Sequence, residues 1–246
     1  MRMSKQMIYT ANWKMCLPFA QAVEIVKQNQ AALARLAQQH KIIISPSATA
    51  INALHAILAD TSVAIAGQNC STKQRGAFTG QLAATDLASA GARYCIVGHS
   101  ECRKHNQESS AVVAEKALRV MEANMTPIIC IGETADQFKS AQTRNVLDSQ
   151  LAPVLPLLTQ DNALIIAYEP VWAIGTGILP TREILADCFM YLAQKLSGSQ
   201  RKTKLLYGGS VTASNATALK QIPFLDGFLI GGASLDFQEF KKIVEC

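Results

Sequence analysis

No stretch of this sequence reaches the roughly 18 consecutive apolar residues a membrane helix needs, so no membrane span is expected. The first residues, Met1 to Met7, carry Arg2 and Lys5 but no apolar stretch and no small-residue cleavage site. No signal peptide is therefore expected, and the default reading is a cytoplasmic protein. No C-x-x-C pair occurs among Cys16, Cys70, Cys95, Cys102, Cys130, Cys188 and Cys246. Their odd number and scatter argue against a disulfide framework or a zinc site. They read as reduced thiols, most of them small buried hydrophobes. The four histidines, His40, His55, His99 and His105, include no strand-end pair at ligand spacing, so no metal is expected. Charge is sparse, at 17% of residues with a formal balance of +5. The basic cluster Arg201-Lys202-Thr203-Lys204 reads as a solvated loop and not as a nucleic-acid surface. A mild positive field does suit an anionic metabolite.

What is present is apolar material, 49% of 246 residues, enough for a sizeable core. It falls into eight short runs: Met7–Ala11, Ile42–Ile44, Val63–Ala66, Tyr94–Val97, Pro127–Ile131, Leu164–Tyr168, Leu205–Tyr207 and Phe228–Ile230. Each is too short for a helix, and several are β-branched throughout, as in strands buried on both faces. Amphipathic stretches separate them. Phe19, Val23, Val26, Leu33 and Leu36 share one helical stripe; Val113, Ala117, Leu118 and Met121 share another. Ile184, Cys188, Leu192 and Lys195 with Leu196 form a third. Gly91 stops a helix over Leu82–Ala90, Pro180-Thr181 opens the sixth helical unit, and Asp226-Gly227 turns into the last strand.

Eight strand–helix units imply an α/β protein with an all-parallel sheet. An open, doubly wound sheet usually carries G-x-G-x-x-G after its first strand. Here that place holds Asn12-Trp13-Lys14-Met15, without a glycine. The expected fold is a single-domain (β/α)8 barrel over residues 1–246, a length such barrels commonly have.

Barrel active sites lie at the C-terminal ends of the strands, and this rule sorts the titratable residues. Asn12 and Lys14 leave the first strand, His99 and Glu101 the fourth, Glu169 the sixth. Gly208-Gly209-Ser210 follow the seventh and Gly231-Gly232 the eighth. By position alone Glu169 is either a general base or a surface carboxylate. The Gly175-Thr176-Gly177 that follows favours the base, since it can bind an anion and let a lid move. His99 is either a structural histidine or a neutral hydrogen-bond donor beside a helix N-terminus. Each glycine pair alone is an ordinary turn. In the last two loops together they match the usual barrel phosphate site.

These segments, with Gly98-His99-Ser100-Glu101 and Tyr168-Glu169-Pro170-Val171-Trp172-Ala173-Ile174-Gly175-Thr176-Gly177, resemble the triosephosphate isomerase family from the first strand to the last helix. The resemblance implies a cofactor-free proton transfer on a small phosphorylated triose, with Glu169 as base, His99 as neutral electrophile and Asn12 polarising the enediolate. It implies a charge role for Lys14, a supporting role for Glu101, and a phosphate cradle of Gly175, Ser210, Gly231 and Gly232. It also implies a homodimer in which Thr79, in the loop Gly76-Ala77-Phe78-Thr79-Gly80-Gln81, reaches the partner's site.

Two departures stand out. Cys102 and Gln81 occupy positions where relatives commonly carry an arginine and a glutamate paired across the dimer. Losing both partners avoids a stranded buried charge, so the dimer is expected to persist with a different contact. Ile178-Leu179-Pro180 replaces the usual trailing hinge of the lid, where proline restricts Leu179. Cys16 and Cys102 are expected to be buried and unreactive. The competing functions are an aldolase with a Lys14 Schiff base, which leaves Glu169 idle, and a binding module without turnover.

Overall fold

The computed structural model describes residues 5–159, 164–175, 178–197 and 203–246. Eight parallel strands close into a barrel in sequence order: β1 (Ile8–Asn12), β2 (Lys41–Ser45), β3 (Ala64–Gly67), β4 (Tyr94–Val97), β5 (Thr126–Ile131), β6 (Ile165–Tyr168), β7 (Lys204–Tyr207) and β8 (Gly227–Ile230). Closure is made by β8 against β1, with Gly227 opposite Ile8 and Ile230 opposite Ala11. Each run singled out above becomes a strand with ends shifted by no more than one residue.

Alternate strand residues point to opposite faces, and the core divides accordingly. Ile43, Ala66, Ile96, Ile128, Cys130, Ile165, Ala167, Leu206 and Leu229 form one buried cluster, the filling of the barrel. Their strand neighbours, among them Ile42, Ile44, Val97, Ile129, Ile131 and Ile166, join the larger cluster beneath the helices. Burial on both faces explains the unbroken apolar runs.

Ten α-helices are seen among the described residues: α1 (Phe19–Gln39), α2 (Ile51–Ile57), α3 (Ala84–Ser89), α4 (Ser100–His105), α5 (Ser110–Glu122), α6 (Ala135–Lys139), α7 (Thr143–Leu151), α8 (Arg182–Leu196), α9 (Ala213–Leu219) and α10 (Phe237–Glu245). None is long and apolar enough to cross a membrane. Thr181 caps α8, its hydroxyl accepting the Ile184 N–H.

Two helical stripes need correction. Phe19 begins α1 but is 50% exposed, while the buried face runs Ala22, Val26, Leu33, Leu36 and Ala37. In α8 the buried face is Leu185, Cys188, Phe189, Leu192 and Leu196; Ile184 is half-buried and Lys195 exposed. Both errors come from allowing terminal residues into a stripe that packing rotates by one position. The helix before Gly91 also begins later than expected, at Ala84. Cys70, Cys95, Cys130 and Cys188 are buried, as free thiols commonly are, but Cys16 is exposed, contrary to expectation. Cys102 is half-buried, and burial, the first cause, with the charge of Glu108 pushes its thiol up to about 11. Arg201 and Lys202 of the basic cluster lie outside the described residues.

Candidate active site

The ends of β1, β4, β6, β7 and β8 meet at a cavity of about 230 Å³. It is lined by Asn12, Lys14, His99, Glu169, Gly175, Ser210, Gly231 and Gly232, so eight of the site residues singled out in the sequence come together. Thr176 and Gly177 lie outside the described residues. Glu101 stands just outside the lining, and Thr79 lies on an exposed loop away from it.

Asn12 caps the end of β1 by accepting the Lys14 N–H on Oδ1 at 3.1 Å. Lys14 is thereby turned into left-handed backbone, φ 49°, a conformation that costs a non-glycine residue energy and tends to persist at functional sites. Gln68 holds the same turn, donating from Nε2 to the carbonyls of Lys14 at 2.6 Å and Ser45 at 3.1 Å. The Lys14 Nζ reaches Glu101 Oε1 at 2.6 Å. Burial pushes the Glu101 carboxyl up, but the hydrogen bond from Lys14 and the lysine's charge work against it, and the group is held below its ordinary range.

His99 is the N-cap of α4, and its Nδ1 accepts the Glu101 N–H at 3.2 Å. The Glu101 carboxylate stands farther from Nδ1, at 3.7 Å, beyond hydrogen-bonding distance. A nitrogen that accepts an N–H carries no proton, so in the neutral ring the proton sits on Nε2. That Nε2 lies 3.2 Å from Glu169 Oε1. The other carboxylate oxygen, Oε2, accepts the Ser100 N–H at 3.0 Å. Glu169 is only 2% exposed, which settles the choice between a surface carboxylate and a desolvated one. Beneath it lies the Cys130 thiol, pushed well above its ordinary value by burial first and by the Glu169 charge second.

Several contacts that support the site escaped the sequence reading. Gly132 passes so close to the Glu169 backbone that a Cβ there would lie 1.7 Å from its carbonyl oxygen. Gly208 leaves room for the side chain itself, since a Cβ would approach Glu169 Cγ to 2.8 Å. Gly132→Ala should therefore overpack the β5–β6 junction, costing about 1–3 kcal/mol or more. For a chain of this size that lowers the melting temperature by roughly 2–4 °C per kcal/mol; an unchanged thermal melt would refute the crowding.

Arg103 ties the ends of β4 and β5 together, donating to the carbonyls of Gly98 at 2.9 Å and Cys130 at 3.1 Å. Glu133, fully buried, accepts from the Tyr168 hydroxyl at 3.1 Å and from Trp172 Nε1 at 2.8 Å. Its carbonyl accepts the Val171 N–H at 3.0 Å. The segment after Glu169 is thus anchored to the end of β5. On the other side, Ser210 Oγ donates to the Ala173 carbonyl at 2.9 Å. In the altered hinge Pro180 is buried, whereas Ile178 is 54% and Leu179 46% exposed. Among the described residues, no group of three His, Cys, Asp or Glu is placed to hold a metal ion.

A family model described as triosephosphate isomerase matches residues 7–246. The chain belongs to the triosephosphate isomerase family. It is 40% identical to the triosephosphate isomerase of Mesorhizobium japonicum over 97% of this chain and 95% of that one. It is 40% identical to that of Dichelobacter nodosus over 97% of both chains. The crystal structure of triosephosphate isomerase from Bartonella henselae superposes with a TM-score of 0.84 at 33% identity, covering 98% of each chain. The chain is accordingly an isomerase, and the reaction of its family is the glycolytic interconversion of dihydroxyacetone phosphate and D-glyceraldehyde 3-phosphate.

Proposed function

We propose that Glu169 removes a proton from the terminal carbon of dihydroxyacetone phosphate and returns it to the neighbouring carbon of the enediolate. His99, with its proton on Nε2, donates to the developing oxyanion and moves a proton between the two oxygens. Asn12 and Lys14 polarise the same oxygens, and the Lys14 charge also draws the phosphate. The phosphate seats against Gly175, Ser210, Gly231 and Gly232, where no side chain blocks the backbone. Glu101 sets both Lys14 and His99 in place. No redox step or group carrier is called for, because base and acid are both side chains.

The observation that carries this reading is the acceptor role of His99 Nδ1, which leaves a neutral donor on the nitrogen facing Glu169. The carboxylate rests against both His99 and the Ser100 N–H. A substrate carbon has to come between base and donor, so Glu169 leaves Ser100 when the site fills. The adjoining Pro170-Val171-Trp172 segment then shifts with it. Turnover of both triose phosphates in a coupled assay tests the assignment, and no turnover in either direction would refute it. Borohydride treatment with substrate should leave Lys14 unmodified; a trapped adduct there would instead support an aldolase.

The chain further reads as one cytoplasmic domain that pairs as a homodimer. On the otherwise polar loop 73–82, Phe78 is 40% and Leu82 44% exposed, and Met15 is 98% exposed; these are large apolar side chains that a partner would cover. Beside them opens a larger cavity of about 510 Å³, lined by Asn69, Gln81 and Glu108. Glu108 Oε2 is buried there without a hydrogen-bond partner among the described residues. The Thr79 loop of a second copy suits that cavity and would bring a donor to it. Cys102 accepts from Asn69 at 3.5 Å and Gln81 from Ser71 at 2.5 Å, so the changed pair leaves no charge to be matched across the interface. Sedimentation at micromolar protein should give twice the chain mass, and a monomer would count against the pairing.

A further inference from the structure

The Trp172 ring, three residues beyond the base, is held from two sides by a single short segment. Glu133 accepts its Nε1–H at 2.8 Å, and Phe138, five residues later, stacks on it with centroids 4.2 Å apart and planes 25° from parallel. Both rings are half-buried, so the contact is not forced by core packing. Phe138 is placed by α6, whose start is locked in a capping box: Thr134 Oγ1 accepts the Gln137 N–H and the Gln137 side chain accepts the Thr134 N–H. The stack is therefore a rigid support against which Trp172 rests.

In this arrangement the site is unready. Glu169 is tied to Ser100, and the Ser210 hydroxyl is spent on the Ala173 carbonyl instead of a phosphate oxygen. Both contacts must be exchanged on ligand binding, and Trp172 lies between the two residues that move. We infer that Phe138 is a positioning residue that holds Trp172, and with it the segment from Glu169 to Ala173, in the resting arrangement, and so sets how tightly the site takes a phosphorylated ligand. Resting on the reading of Gly175, Ser210, Gly231 and Gly232 as the phosphate cradle, it adds a control on that cradle's affinity. An aromatic stack gained only in the resting state subtracts from binding, because the ligand must break it.

The size of an aromatic pair beyond its buried area translates into a roughly two- to tenfold change in affinity. Phe138→Leu, which keeps an apolar side chain but removes the ring, should bind inorganic phosphate about two to ten times more tightly. Tryptophan emission follows the titration, since Trp172 changes surroundings on binding while Trp13 is buried against the Ser234 carbonyl. KM for either triose phosphate should fall with the phosphate constant, and kcat should not rise. Phe138→Tyr keeps the ring and should restore wild-type values, which a general loss of stability at this site would not allow. Unchanged or weaker phosphate binding in Phe138→Leu overturns the inference, as does a wild-type emission that ignores phosphate. The phosphate titration needs no turnover, so a failure of the isomerase assignment would be seen separately, in the coupled assay.

Discussion

Replacing Glu169 with glutamine should lower kcat by about 10²–10⁴, the usual contribution of a positioned general base. The side chains are nearly isosteric, so the space left by Gly208 and Gly132 still fits. An amide does not take up the substrate proton at neutral pH, and that loss is chemical, not steric. The substitution also disturbs the resting contacts. The carboxylate accepts from both Ser100 N and the His99 Nε2 side, whereas the amide offers one acceptor and one donor. One of these contacts becomes donor against donor, which costs about 1–3 kcal/mol for a buried group. Such a cost leaves most of a stable protein folded, so unfolding would not account for the activity loss. Measuring kcat alongside a thermal melt separates the two, and a variant as fast as wild type would remove Glu169 from the mechanism.

The second large effect is expected from Lys14→Met, which should reduce kcat/KM by about 10²–10³, the cost of losing one stabilising donor at a developing oxyanion. Stability should change little, because the partner Glu101 is half-exposed and water can take over its hydrogen bond. The Glu101 carboxyl, no longer held down by the lysine hydrogen bond, should titrate at higher pH. Lys14→Arg should recover only part of the activity, because a planar guanidinium is a poor substitute for an ammonium seated between Glu101 and Gly231. Full activity in the methionine variant would show that the charge is not used.

The strands were legible because burial on both faces demands continuous apolar runs. Helix faces were less so: Ile184 and Leu185 are both apolar, and only packing on the barrel buries one in preference to the other. The residues proposed to carry the chemistry were also legible, since lysine, histidine and glutamate at strand ends have few structural reasons to be there. Their supports were not. Glu133 and Trp172 lie 39 positions apart, and Arg103 reaches Cys130 across 27. Such partners are set by strand neighbours in the closed sheet, a proximity that no local pattern encodes.

Glu169 shows where the division falls. Residue order alone settled that a carboxylate ends the sixth strand and that glycines end the seventh and eighth, and it favoured a barrel of eight such units, because those features follow from local period and composition. Whether that carboxylate is buried, which His99 nitrogen faces it, and that its resting place is the Ser100 N–H were decided by tertiary structure. The same holds for the aromatic support of Phe138 under Trp172. Burial and proton placement depend on what several strands bring to one point, and that convergence exists only once the barrel is closed.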